Sequence, residues 1–484
     1  LATAGNVTQN GVSASYLFQG TAPAVAAVGN IPSPRLSAFQ SPLPPQAFHD
    51  MLRARERALS QSAQSPGVAL FSQGRVTSAA ALPPVVGEQR SFEVCANADC
   101  KSFVQTTATA RSVGQRVAIF VDDAAPAGGY TTTDLDNVQR VFDQFLYPID
   151  TTHFGRESDI DGNGVVIVLL TQHVNQLSPH CSNTNLVTLG YFFGADLLPP
   201  SPTNPGSNEG EIFYGLVPDP NNLDCQISAS FAETHLPATF IHEFQHMISF
   251  NQHVLVRHGT SEDTWLNEGL SHFAEELGGR LVPDTECPTG SCFGEFLAAG
   301  DVENAFAYLA SPEDFFLIEP DTSTGTLQER GANWLFVRWL ADHFASDTIL
   351  GTDLTLRLEA TSALGSANVE AQTGESFSIL VGQWQLANYL DDLPGFTEPT
   401  GRLRYKSWNF REQASAQGIG YPLVPDITDG VGYSHSGVLR AGSGRHIRVV
   451  QDAGAAGVDL ALSAPNGTEL PSTIAPRIAL VRVR

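Results

Sequence analysis

Lysine is almost missing from this chain, which carries Lys101 and Lys406 and otherwise relies on arginine for positive charge. Lys and Arg together number 26 against 51 Asp and Glu, a formal charge of −25. A polyanion would be repelled, so a nucleic-acid partner is excluded. Long apolar runs are also lacking, and no transmembrane segment is expected. No Cys-x2-Cys pair occurs, which argues against a thiolate metal site. Heptads and large internal repeats are absent too, and a monomer is expected. Residues 1–10 have neither a charged start nor an apolar core, so any export signal is expected to have been removed already.

What the chain does have is a constellation of histidines and carboxylates. Residues 242–246 read His242-Glu243-Phe244-Gln245-His246, inside a run from Ala238 to Phe250 with apolar residues at helical spacing and no internal Gly or Pro. One helical turn separates His242 from His246, so both imidazoles face the same way and can reach one tetrahedral ion. Glu243 sits beside them, placed to take a proton from water. An unpaired His or Glu among Phe240, Phe244 and Ile248 would cost several kcal/mol, and a metal ion, Zn2+ by the donor set, removes that cost.

The third ligand decides the subclass. A third histidine would need HExxHxxGxxH, but Ser249 and Gln252 occupy the last two marked positions and His253 falls one place late. The stretch from Thr264 to Leu277 instead aligns Leu270, Phe273 and Leu277 on an apolar stripe with Glu268, His272 and Glu275 on an adjacent one. Gly279 follows where a C-cap is expected. Glu268 is the expected third ligand, with His272, Glu275 or Glu233 as outer partners of the ligand histidines. The donor that would stabilise a tetrahedral intermediate stays open among Tyr214, His258, Tyr308 and Arg330.

Asp159-Ile160-Asp161-Gly162-Asn163-Gly164 begins like a calcium loop, but Leu170 stands at its twelfth position and a strand follows. It is either a tight Asx turn or a calcium site of another kind, so Ca2+ is a second possible cofactor. The six cysteines group as Cys95–Cys100, Cys181–Cys225 and Cys287–Cys292, two local loops and one longer one. Disulfides imply an oxidising compartment, and a secreted, extracellular protein is expected.

Length implies more than one domain. Residues 1–105, rich in Pro, Ala and Gly with a strand-like Ser13–Phe18 and a basic helix from Pro45 to about Leu59, form an accessory β-rich region or the remnant of a pro-segment. Residues 106–394 hold buried strands (117–121 and 165–170), an intervening helix from about Thr133 to Leu146, the histidine motif and a helical second half. Residues 395–484 turn to short alternating strands with Gly turns, ending in 478–483, and read as a β-sandwich-like domain. Gly190–Phe193 is the strand expected to line the cleft and accept a substrate backbone.

His242 to His246 followed by Asn267-Glu268-Gly269-Leu270-Ser271 resembles the gluzincin metallopeptidases. With Ser158–Leu170, Gly190–Phe193 and Ser207–Tyr214, the stretch from about 110 to 345 is similar to the hyicolysin family of bacterial secreted neutral metallopeptidases. The resemblance implies an α+β, thermolysin-like zincin domain in which His242, His246 and Glu268 hold zinc and Glu243 is the general base. It implies an endopeptidase acting on proteins or peptides. One departure is His272, which stands where thermolysin-like members carry a carboxylate. A zinc aminopeptidase would need a Gly-x-Met-Glu-Asn stretch to hold the substrate amine, and none is present. An adhesion protein with a vestigial site would be expected to lose Glu243 first, because the base has no packing use.

Overall fold

A computed structural model describes residues 2–4, 10–21, 44–63, 82–178, 180–181, 187–398 and 400–483. Two N-terminal strands, β1 (Ala2–Ala4) and β2 (Ser13–Thr21), precede a helix at Pro44–Ala63. The main sheet then forms from β3 (Gln89–Cys95), β4 (Phe103–Val113), β5 (Val117–Asp122), β6 (Val166–Leu170), β7 (Gly190–Phe192) and β8 (Ile212–Gly215). Its order is β3-β4-β5-β6-β8-β7. β5, β6 and β8 run parallel, while β3, β4 and β7 pair antiparallel with their neighbours.

Sequence and position agree strand by strand. β6 reads VIVLL with every residue buried, as a central parallel strand covered on both faces must be. β4 alternates buried and exposed residues along much of its length, because only one of its faces meets the core. The connection from β5 to β6 carries the Thr132–Val141 helix, whose start is a capping box of Thr131 and Asp134. Leu135, Val138 and Val141 face inward, and the chain continues through a wider i→i+5 turn at Phe142–Leu146. β7 is the sheet's edge.

The second half is helical. The Ala229–Phe250 helix starts at Ser228, whose hydroxyl accepts from the Phe231 N–H, and its last eleven residues are all buried. The Thr264–Leu281 helix crosses the Leu327–Phe344 helix at Gly269, where a Cβ would stand 2.9 Å from the Asn333 carbonyl oxygen and Val337 Cγ2. Glycine is required there by close approach. Buried Glu276 accepts from Trp334, Trp408, Arg338 and Arg280 at 2.7–3.2 Å, tying this helix to its neighbours. Gly279 does not end the helix as expected. It packs against Leu297 two residues before the helix stops at Leu281.

The N-terminal strands pair late in the chain. β2 lies between strands Ser434–Arg440 and Asp459–Ser463, and β1 pairs with Gly444–Arg445 and Pro476–Ile478. Of the expected terminal strand 478–483, only Ile478 lies in a strand. The Tyr16 hydroxyl donates to Glu313 at 2.5 Å, linking this β region to the helical half. Sulfur bridges join Cys95 to Cys100, Cys181 to Cys225 and Cys287 to Cys292. No helix among the described residues is long and apolar enough to cross a membrane.

Candidate metal centre

The Ala229–Phe250 helix is anchored on the sheet by Phe240, edge-on to Phe213 of β8 at 4.3 Å, and on the Tyr147–His153 helix by Phe244, stacked on Tyr147 at 5.5 Å. That docking turns His242 and His246 toward the Thr264–Leu281 helix, which answers with Glu268. Nε2 of His242 is 3.6 Å from Glu268 Oε2, and Nε2 of His246 is 3.6 Å from Oε1. The three residues are buried, with ligand atoms all within 4.8 Å of one another. Glu268 Oε2 is buried without a hydrogen-bond donor. An anionic oxygen left without a hydrogen-bond donor beside two imidazoles fits a divalent cation, which would take the place of the missing donor.

A second group of donors lies behind the first. His242 Nδ1 is 2.7 Å from Glu275 Oε1, and the same oxygen is 2.9 Å from His272 Nδ1, which also lies 2.8 Å from Asp301. His242, His272 and Glu275 could by themselves surround an ion. The hydrogen bond that Glu275 makes to Nδ1 instead points Nε2 of His242 toward Glu268, the usual arrangement behind a metal-binding histidine. The bond to His242 therefore comes from Glu275, and His272 sits one step further out. Sequence reading missed Asp301, which arrives from the Gly294–Val302 segment and shares no local spacing with the motif. Glu233 is not part of this chain of contacts: Asp134 is the acidic neighbour that, after burial, raises its pKa. At the other imidazole, Ser271 Oγ lies 3.1 Å from His246 Nδ1 and donates to Gln245.

The charges are unevenly distributed. Burial works against a positive His242, but Glu268 and Glu275 outweigh it and push the imidazole up to about 9. His246 is driven well below its usual value by burial and then by Arg53, so it is neutral, the state in which imidazole binds a metal. Burial favours a protonated Glu268, yet Arg330 and the two histidines hold it well below the carboxylate range. Glu243 goes the other way. Burial raises it against His242 and Arg53, and its Oε2 accepts the Phe192 N–H of edge strand β7 at 2.9 Å. A raised carboxylate is suited to receive a proton and return it.

Of the four possible donors to an intermediate, the structure brings Arg330 to the cluster, with Nε 3.9 Å from Glu268. The Tyr214 hydroxyl donates to Asp196, and that of Tyr308 accepts from Gln385 in the helical half. His258 takes a left-handed backbone conformation just after the histidine helix, with φ of 56°.

At the Asx loop, Asp161 accepts from the backbone and side chain of Asn163, Asp159 from the Gly164 N–H, and Asn163 from the Val165 N–H. Asn163 is outside the carboxylate group that forms there. Glu211 joins Asp159 and Asp161 instead, with one oxygen bonded to Ser158 and Ile160 and the other buried without a partner.

No family model matches the chain. Comparison with curated proteins finds 30% identity over 153 residues with the neutral metalloprotease ShpI of Staphylococcus hyicus. The aligned part is 30% of this chain and spans 31% of that protein. With the His/Glu cluster and the mixed α+β fold around it, this similarity makes the chain a distant member of the zincin-like metallopeptidase superfamily.

Proposed function

We propose that the protein is a zinc-dependent endopeptidase of the hyicolysin kind, secreted by a bacterium and acting as a monomer on proteins or peptides. The observation that carries this reading is the position of Glu243. It follows His242 directly on the helix and feels that imidazole's charge, and its carboxylate also accepts from the sheet edge along which an extended peptide could be added. A base is thus poised between a metal position and a substrate position. His242, His246 and Glu268 would hold the zinc, which when bound supplies an acidified water and polarises the scissile carbonyl. Glu243 would take the proton at its carboxylate and deliver it to the leaving amine. β7 would align the peptide backbone, and Arg330 would offer positive charge beside the ligand carboxylate. The catalytic unit would span about 106–394, in a thermolysin-like arrangement of sheet, histidine helix and helical second half.

The endo preference rests on β7 being an edge strand of the sheet, since a strand edge would bind substrate backbone and needs no terminal amine. Hydrolysis inside a peptide blocked at both ends, lost on chelation and restored by zinc, tests the reading; cleavage confined to free amino termini favours the aminopeptidase alternative. Calcium at Asp159, Asp161 and Glu211 belongs to the same proposal as a stabilising ion, supported by Glu211 Oε2, which is buried without a hydrogen-bond partner.

A further inference from the structure

The Pro44–Ala63 helix lies against the metal centre and carries a polar stripe on the side that faces it. His49, Asp50, Arg53, Glu56, Arg57 and Ser60 recur at helical spacing, and Asp50, Arg53, Glu56 and Ser60 are buried. A surface helix would show such residues to water. Here they meet both walls of the site.

On the sheet wall, Arg53 Nη2 donates to the Phe192 carbonyl at 3.0 Å and lies 3.8 Å from Glu243 Oε2, while Nη1 pairs with Glu56 at 2.9 Å. Glu56 in turn accepts the Gly194 N–H at 2.6 Å, and Phe48 packs edge-on against Tyr191 at 4.9 Å. On the helical wall, Asp50 accepts from the backbone and hydroxyl of Thr324, whose own carbonyl and hydroxyl are held by Arg330. Arg57 bonds Asp263 at 2.9 Å, at the foot of the helix that carries Glu268. His49 lies in the field of the cluster itself: burial, and then Arg330, push it down to about 3 against the pull of Glu268.

The contacts on the sheet wall are those a substrate needs. A peptide added to β7 would seek backbone donors and acceptors at this edge, and the Phe192 carbonyl and Gly194 N–H are already engaged by Arg53 and Glu56. The base that must receive a proton faces a guanidinium instead of a substrate. We propose that the Pro44–Ala63 helix is an intramolecular inhibitor seated in the substrate cleft, so that the chain as it stands is a latent form and turnover requires the helix to leave. This rests on the peptidase reading of the site and adds its regulation.

The test uses the full chain loaded with zinc, in three forms: unaltered, Arg53→Ala with Glu56→Gln, and Asp50→Ala. The last loosens the helix from the opposite wall and leaves the buried Arg53–Glu56 pair intact. Affinity for a peptide hydroxamate and hydrolysis of a blocked peptide are both measured at equal zinc content. Loosening is expected to raise both at least tenfold. Equal hydroxamate affinity in all three forms overturns the proposal, whatever the rates. Tighter hydroxamate binding by the loosened forms with no cleavage by any of them upholds the seated helix and removes the peptidase assignment instead.

Discussion

Two clusters of acidic side chains in this molecule differ in what stands beside their oxygens. At the Asp159 loop most of the carboxylate oxygens are engaged by nearby N–H groups, and the turn is stable on its own account. At Glu268 one oxygen is buried with no donor, and two imidazoles stand where donors would be. Glu211 Oε2 in the first cluster is also buried without a donor, so what separates the two is the pair of imidazoles: nitrogens beside a carboxylate suit a zinc-type ion, and oxygens alone suit calcium.

The largest expected effects fall on the second cluster. Glu268→Ala removes the only carboxylate of the proposed ligand set and should release zinc and all hydrolysis with it, whereas Asp159→Asn should leave zinc content unchanged; elemental analysis of both variants breaks the comparison if they behave alike. Glu243→Gln should keep the metal and lower turnover by about 10²–10⁴. Unaltered turnover would take the base role from this residue. Glu275→Gln weakens the partner of His242 Nδ1, and a loss of about 10–100-fold in zinc affinity is expected from competition with a chelator.

The smallest effects belong to the loop. Calcium at a hundredfold excess over its dissociation constant should stabilise the fold by about 2.7 kcal/mol, seen as a rise in melting temperature that Glu211→Gln abolishes. The same carboxylate gives a pH signature without calcium. Burial, opposed by the Ser158 and Ile160 bonds, pushes Glu211 from 4.5 up to about 7, so the folded protein holds that proton more tightly than the unfolded chain. Its contribution is full below about pH 4.5 and lost as pH rises through 7. Calcium-free protein should therefore lose up to about 3 kcal/mol relative to Glu211→Gln over that window. A constant difference between the two across it would show that the carboxylate is not desolvated.

The contrast also explains what could be read from sequence. His242, Glu243 and His246 share one helical turn, and Glu268 and Glu275 share a stripe on the next long helix, so periodicity puts each set on one face of its helix, and the packing of the helices then brings the two faces together. β6 was legible as an unbroken apolar run, because a central parallel strand is covered on both faces. Asp301 and Glu211 were not, because each reaches its cluster from a separate element and nothing local marks it. The pairing of β2 with strands beyond 434 is equally invisible to local pattern. Arg53 and Glu56 were hidden differently: the basic helix around them has an ordinary polar composition, and only tertiary contact shows which side faces in.

The central claim is that the ion belongs between the two helices, on the Glu268 side of His242. An anomalous-difference map recorded at the zinc absorption edge, on crystals grown without chelator, tests it most directly. The account predicts one peak about 2.0–2.2 Å from His242 Nε2, His246 Nε2 and a Glu268 oxygen. A peak on the other side of the ring, among His242 Nδ1, His272 and Glu275, or no peak in protein that cleaves peptides, would contradict it.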